Sequence, residues 1–152
     1  MGIAMAIISS VVIFIFGQFI LEFVIKPISE QRKLISEIGF ELTYNSGKLY
    51  AHKGWEKMGD EEKDERKSLH NKFRYLASKL KPVSTSISLY GFLSLLKILL
   101  PIDDIISAEG RLIGLSNGVF DTQKQDEARG YQYKSADEVR KLLRINHKKS
   151  LK

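Results

Sequence analysis

The 152-residue sequence contains no cysteine. Disulfide bonds, thiolate metal sites and cysteine nucleophiles are therefore excluded. Histidine is also scarce, and none of the three has a partner at the spacing of a metal site: His52, His70 and His147. No glycine-rich phosphate loop occurs, and the serines of 84–88 lack the surroundings of an activated nucleophile. These absences predict a chain with no metal, no cofactor and no enzyme signature.

Charge is absent from the start of the chain. The twenty residues from Gly2 to Leu21 include no Asp, Glu, Lys or Arg. As a helix they would extend about 30 Å, the thickness of the hydrocarbon core of a bilayer. The segment has neither the basic start nor the small-residue cleavage site of a secretory signal peptide, and a helix apolar on all sides is unusual in the core of a small domain. We therefore expect residues 1–26 to form an uncleaved transmembrane anchor.

Basic residues are missing before the anchor but follow it at Lys26, Arg32 and Lys33. Because Lys and Arg are enriched on the cytoplasmic side of membrane helices, we expect the N-terminus outside and residues 27–152 in the cytosol. This second part carries the whole basic excess, since Glu22 and Lys26 cancel and the chain has 24 Lys and Arg against 18 Asp and Glu. The charge predicts an anionic partner and leaves open whether it is a lipid headgroup, a nucleotide or a nucleic acid.

Within the anchor, small and polar residues recur at every fourth position. The row consists of Gly2, Ala6, Ser10, Phe14, Gln18, Glu22 and Lys26. Small residues at this spacing let helices approach closely, and polar residues at membrane depth usually face protein or water. We therefore expect a homo-oligomer that associates through Gly2, Ala6, Ser10, Gln18 and Glu22. Two interpretations stay open: rings of Gln18 and Glu22 line or gate a water-filled path, or Glu22 only pairs with Lys26 at the interface.

The remainder shows helical periodicity and little strand-like alternation, which predicts an all-α domain of four or five helices after the anchor. The predicted helices cover residues 28–51, 60–81, 86–100 and 103–117, and a last one begins at a capping box of Ser135 and Glu138. Pro27 is expected to kink or restart the helix at the membrane surface, and Asn117 with Gly118 to form a left-handed cap. Residues 119–134 are expected to form a loop.

The segment 86–100 is nearly apolar throughout, and Lys97 is its only charged residue. Its dense apolar part covers about eleven residues, fewer than the roughly twenty that a membrane span needs. We expect a central core helix here. A segment that re-enters the membrane or docks on its surface is the alternative.

The last predicted helix has a basic side. Its basic residues, with Lys26, Arg32 and Lys33, are our candidates for contact with an anionic ligand or lipid: Arg140, Lys141, Arg144, Lys148 and Lys149. Arg140 and His147 are separated by six residues, which resembles the Arg-x4–6-His motif of the HEPN ribonucleases, helical dimers that act on RNA. The resemblance implies a catalytic pair of Arg140 and His147. Lys141 stands where that family usually has a polar residue, and ribonuclease activity is kept as a second alternative.

The layout as a whole resembles another group of proteins. An apolar N-terminal span is followed by a juxtamembrane segment 27–32 (PISEQR), a compact helical domain and the segment 112–117 (LIGLSN). This is similar to small bacterial single-pass membrane proteins, some of which are oligomeric pore-forming effectors of anti-phage systems. The resemblance implies the bacterial inner membrane, oligomerisation, membrane permeabilisation and a defence-system protein as partner.

The leading hypothesis is thus a homo-oligomer that forms or gates a membrane pore in response to an anionic ligand or partner. The alternative is a basic adaptor, tethered to the membrane, that recruits a protein or a nucleic acid. Both hypotheses depend on the anchor, and they differ in whether the anchor helices conduct.

Overall fold

The computed structural model describes residues 2–50, 58–120 and 125–145. Every regular element in these ranges is a helix, and no strand occurs among them. The α-helices are α1 (Gly2–Ile20), α2 (Lys26–Tyr44), α3 (Ser46–Tyr50), α4 (Asp60–Thr85), α5 (Tyr90–Leu95), α6 (Ile102–Gly118) and α7 (Gln125–Leu142). The predicted all-α class is confirmed.

The first two helices form one continuous helix of 43 residues, Gly2–Tyr44. A π-helical turn, Leu21–Ile25, joins them, and the backbone N–H of Lys26 donates to the carbonyl of Leu21, five residues earlier. Pro27 explains the wider turn, because it lacks an N–H and its ring crowds the carbonyl four residues before it. Of the two predicted effects of Pro27, a kink or a restart, the restart does not occur: the helix is distorted locally and continues.

The continuous helix changes character at this turn. Its first part is long and apolar enough to cross a membrane. No residue of α1 is buried, and fifteen large hydrophobic side chains between Ile3 and Ile25 are exposed. In contrast, α2 buries one face, on which Leu34, Ile38 and Leu42 point into the domain core. The two parts of one helix therefore differ: α1 is exposed on every side, whereas α2 packs one face against the domain.

Helices α2, α4, α6 and α7 pack in sequence order, each antiparallel to the one before. Side-chain contacts establish the directions. The contact of Gln31 with Ser84 joins the start of α2 to the end of α4, and that of Arg66 with Val119 joins the start of α4 to the end of α6. The contact of Gln132 with Gly118 joins the first half of α7 to the end of α6. We call the end at which α2 and α6 begin the anchor-proximal end, and the opposite end the distal end.

The core lies between these four helices. Each contributes one stripe of apolar residues three or four positions apart, as an amphipathic helix in a globular domain does. The largest fully buried apolar side chains of the four helices are Ile38, Leu42, Phe73, Leu76, Leu80, Ile105, Leu112, Leu115 and Val139.

Two helix boundaries in the first half of the domain differ from the prediction. The helix predicted for 28–51 is interrupted at Asn45, which separates α2 from α3. Helix α4 continues through Pro82 to Thr85 instead of ending before the proline. Proline is tolerated there because its ring is exposed in the last turn, and the carbonyl that it leaves unpaired belongs to Ser78, an exposed residue that water can reach.

The second half differs at the α6–α7 connection. No glycine among the described residues has a positive φ, so Gly118 does not form the predicted left-handed cap. It allows a close approach instead, since a Cβ on Gly118 would lie 2.5 Å from Nε2 of Gln132. Helix α7 begins at Gln125, so the predicted loop 119–134 is helical from residue 125 onward, and Ser135 is buried inside the helix and is not an N-cap.

The prediction of a core helix over residues 86–100 is also wrong. The α-helix there, α5, has six residues. Only the two ends of the segment are inserted in the domain, through buried Ile87 at one end and Leu99 with Leu100 at the other. The apolar side chains between them are mostly exposed.

Candidate functional site

The anchor residues predicted to bring helices together lie on the exposed surface of the first helix: Gly2, Ala6, Ser10, Gln18 and Glu22. The hydroxyl of Ser10 donates to the carbonyl of Ala6 at 2.8 Å, so its hydrogen bond is made inside the helix. None of the described residues packs against Gly2 within 4 Å of a Cβ placed there. The row turns by about 40° at each four-residue step and so forms a shallow spiral. Its role in association stays a prediction.

At the C-terminal end of this row, Glu22 and Lys26 form an ion pair, and each side chain is about half exposed. This is the contact expected if Glu22 pairs with Lys26 one turn later. In a bilayer each partner would reduce the cost of placing the other near hydrocarbon. Gln18 lies one turn deeper in the anchor.

The structure divides the other predicted basic residues into distinct environments. Arg32 and Lys33 are exposed on α2 beside the anchor, and Arg144 is exposed just after α7. Lys141 is exposed but pairs with Asp137 at 2.7 Å, and the hydrogen bond to that carboxylate raises the pKa of Lys141. Outside the described residues lie His147, Lys148 and Lys149.

Arg140 has a structural position. Only 8% of its surface is exposed, and its Nη2 donates to the carbonyl of Leu42 at 2.9 Å. That carbonyl lies in the last turn of α2, where carbonyls lack a partner within their own helix. The buried guanidinium therefore closes the end of α2 and interacts favourably with the helix dipole. It is not placed to contact an external phosphate, and the pairing with His147 stays a prediction because His147 lies outside the described residues.

The end of α6 is closed in the same way by α4. Nη1 of buried Arg66 donates to the carbonyl of Val119 at 3.1 Å, and Nδ1 of His70 lies 2.8 Å from the carbonyl of Ser116. Burial lowers the pKa of Arg66, against the opposing effect of the Glu62 carboxylate. Sequence reasoning missed these roles, since the partners are 46 to 53 residues apart and no local motif marks them.

Three exposed basic residues meet at the anchor-proximal end. Arg32 and Arg144 line one groove together with Lys97. Lys97 and Arg144 both adopt a left-handed backbone conformation, with φ of 59° and 51°, which residues other than glycine seldom do. Ile35 and Leu143 form part of the apolar wall. We call this site, defined by Arg32, Lys97 and Arg144, the basic groove.

Lysines farther along α3 and α4 are paired with carboxylates. Nζ of Lys72 lies 2.7 Å from Glu37 and 3.6 Å from Glu41, and the hydrogen bond to Glu37 is the main reason that the pKa of Lys72 is raised. Lys48 pairs with Glu65 at 2.8 Å, which raises the pKa of Lys48. In the part of the chain that the structure describes, the three cations of the basic groove have no such carboxylate partner. The groove is therefore the better candidate for binding an anion.

In the described ranges no group of three or more His, Asp or Glu side chains could hold a metal ion. Comparison of the chain with known protein families, with curated proteins and with solved structures finds no match. A function therefore has to be argued from the exposed apolar helix, its continuity with the domain, and the basic groove.

Proposed function

We propose that the protein is a single-pass effector of the bacterial inner membrane that assembles as a homo-oligomer and forms or gates a pore when its cytosolic domain binds an anionic ligand. The observation that carries the proposal is a helix with no buried residue that continues without a break into a packed domain. Moving the fifteen exposed large side chains of α1 and the π-helical turn from water into lipid would gain on the order of 20 kcal/mol, at about 1–2 kcal/mol for each partly exposed side chain. With basic residues only on the domain side, the N-terminus lies outside.

Association of the anchor helices of several copies forms the water-filled path through the membrane. The small residues Gly2, Ala6 and Ser10 let neighbouring copies approach in the outer half of the membrane. Gln18 and Glu22 need polar surroundings in the inner half, and rings of these side chains around a shared axis provide them. Pairing with Lys26 neutralises Glu22 within one chain, so a change in that pair alters the charge that faces the path.

The continuous helix links the ligand site to the path. Arg32, which lines the basic groove, is ten residues after Glu22 on the same helix, about 15 Å along its axis. A ligand that draws Arg32 and Arg144 together would tilt or rotate α2, and the anchor would move with it. Anionic candidates are a nucleotide, a nucleic acid, or an acidic segment of a defence-system protein.

Expression in bacteria tests the proposal. Induction should depolarise the inner membrane, as reported by a voltage-sensitive dye, and the pair Gln18→Leu with Glu22→Leu should alter that response. A matched pair elsewhere in the anchor, Ile13→Leu with Phe19→Leu, should leave it unchanged at equal membrane insertion. An unchanged potential in cells with well-inserted wild-type protein would contradict pore formation.

The tethered-adaptor alternative predicts a different pattern. Reversing charge in the basic groove with Arg144→Glu would abolish recruitment of an anionic partner, and induction would leave the membrane potential unaffected with or without that change. The proposed setting in antiviral defence is tested by phage plating efficiency with wild-type protein and with the Gln18 and Glu22 double variant. Equal plating efficiency on both strains would contradict a role in antiviral defence. The pore proposal would still be decided by the dye measurement.

A further inference from the structure

We propose that residues 86–100 form a hairpin that docks on the cytosolic leaflet beside the anchor, with its apolar tip among the lipid chains and Lys97, at the rim of the basic groove, against anionic headgroups. Arg32 and Arg144 stay available to the ligand of the proposed function. The proposal rests on the membrane anchor of the proposed function. It adds a second membrane contact that fixes the domain against the bilayer. We call this segment the docking hairpin.

The docking hairpin concentrates apolar surface that the domain does not use. Five large apolar side chains within ten residues are exposed, from 46% to 78%: Leu89, Phe92, Leu95, Leu96 and Ile98. Elsewhere in the described domain the exposed large hydrophobic residues are mostly aromatics that lie singly or in pairs, such as Tyr75 and the stacked rings of Phe40 and Tyr44. A contiguous apolar patch of this kind marks a contact with lipid or with another protein.

The position of the hairpin points to lipid. The end of α4, from which the hairpin leaves the domain, is held to α2 by the Nε2 of Gln31, which donates to Oγ of Ser84 at 2.9 Å. The Gln31 side chain also lies close enough to the Tyr90 hydroxyl to lower its pKa. Gln31 is only five residues after Lys26, about 7–8 Å along the helix. The hairpin therefore lies at the depth of the headgroups of the leaflet that the anchor enters.

Backbone carbonyls of the hairpin accept hydrogen bonds from within the hairpin, as they must where lipid excludes water. The carbonyl of Leu93 accepts the N–H groups of Ile98 at 3.0 Å and of Leu99 at 3.3 Å. The hydroxyl of Tyr90 donates to the carbonyl of Leu100 at 2.7 Å. Polar backbone groups have to be paired internally where water is excluded. The hairpin thus closes on itself, and its apolar side chains are left outside.

The charges around the hairpin fit an anionic lipid surface. Lys97 is the only charged residue of the segment, and it shares the basic groove with Arg32 and Arg144. Basic side chains next to apolar ones are typical of segments that lie in the membrane interface, where each cation is attracted to anionic headgroups. The carboxylates nearest in sequence, Asp103 and Asp104, lie in the first turn of α6, where they favour the N-terminus of that helix. A second copy of the chain would cover the apolar tip but would leave this basic rim without an anionic partner, which is why we assign the surface to lipid.

Site-specific labelling of the full chain tests the docking hairpin. Because the chain has no cysteine, a single introduced cysteine carries an environment-sensitive fluorophore at one position. Leu95→Cys places the label at the tip of the docking hairpin, and Val11→Cys places it in the anchor. Phe40→Cys is the control, at an exposed position of α2 farther from the anchor. Each labelled protein is reconstituted in vesicles of phosphatidylglycerol and phosphatidylcholine, with and without nitroxide lipids.

The expected result is a blue-shifted emission that nitroxide lipids quench at Leu95→Cys and at Val11→Cys, with neither effect at Phe40→Cys. In vesicles that contain phosphatidylglycerol, the additional change Lys97→Glu should reduce the nitroxide quenching at position 95, and the reduction should be larger at higher phosphatidylglycerol content. In phosphatidylcholine alone, Lys97→Glu should not reduce the quenching. Quenching at Val11 with none at Leu95 would overturn the docking hairpin and leave the anchor intact. A blue shift at Leu95 without lipid quenching would assign the patch to a second protein copy and overturn the proposal. No quenching at Val11 would remove the anchor, and the docking hairpin with it.

Discussion

Replacing Arg140 by methionine should destabilise the domain, because this change removes the donor that closes the end of α2 and keeps most of the aliphatic stem. The guanidinium is buried and 2.9 Å from the carbonyl of Leu42. A hydrogen bond from a charged donor contributes about 1.5–3 kcal/mol, and the carbonyl left in the variant would be shielded from water. Methionine fills a similar volume, so the loss from packing is small. We expect the free energy of unfolding to fall by about 2 kcal/mol.

Urea unfolding of the full chain in detergent micelles measures this loss by far-ultraviolet circular dichroism, since the domain helices melt while the anchor stays in the micelle. With a urea dependence of about 2 kcal/mol per molar, a loss of about 2 kcal/mol lowers the midpoint by about 1 M. The neighbouring exposed residue provides the control. Lys141→Met removes an ion pair with Asp137 on the surface and should change stability by at most about 0.5 kcal/mol.

A midpoint for Arg140→Met equal to that of Lys141→Met would refute the structural role. If the same variant also lost cleavage of RNA, the guanidinium would have to be available to a substrate, and the resemblance to the ribonuclease motif would gain support. A lowered midpoint in Arg140→Met, in contrast, would make any loss of activity in that variant a consequence of unfolding. The stability measurement therefore has to precede any activity measurement at this position.

Two further predictions concern the half-buried hydroxyl of Tyr90 and the buried amide of Gln132. Burial raises the pKa of Tyr90 above its ordinary value of 10.0, although the Gln31 side chain acts in the opposite direction. A raised pKa in the folded state means that the tyrosine stabilises the fold at pH below 10 and that this contribution is lost as pH rises through the folded value. The difference between the phenolate absorbance titrations of wild type and Tyr90→Phe should thus have its midpoint above 10, and a midpoint at or below 10 would contradict burial of the hydroxyl. The amide of Gln132 is buried and has no hydrogen-bond partner among the described residues, so Gln132→Met should raise the free energy of unfolding by about 1 kcal/mol. A lower urea midpoint for Gln132→Met would mean that the amide has a partner.

Periodicity was sufficient to predict the helical class and the stripes that fill the core. Leu69, Phe73, Leu76 and Leu80 recur at helical spacing along α4 and are all buried, because one face of the helix has to leave water. Helix ends were harder to predict, since local signals compete with distant ones. Ser135 and Glu138 have the spacing of a capping box, yet α7 begins ten residues before Ser135. The Ser135 side chain is buried in the packed domain and does not cap a helix end. Pro82 and Pro27 show the same limit, as exposure in one case and a π-helical turn in the other accommodate the ring.

The candidate site was predicted only in part. Arg32 and Arg144 were identified from charge, but their shared groove and its third cation, Lys97, depend on where the docking hairpin folds back, which no local pattern encodes. Density of apolar residues also misled the interpretation of 86–100, because the same composition suits a core helix and a surface for lipid. The buried roles of Arg66 and Arg140 could not be distinguished from surface charge, since each partner carbonyl is fixed by tertiary packing.

The π-helical turn between the anchor and the domain sets the rotation of one about the helix axis relative to the other. Its hydrogen-bonded ring contains one residue more than an α-helical ring, and each residue of a helix advances the side chains by about 100°. The direction in which Gln18 points, relative to the groove that contains Arg32, is therefore set by one residue within Leu21–Ile25. Removing one residue from this turn would keep the length of the apolar span nearly constant and would turn the whole outer helix to present a different side to its neighbours.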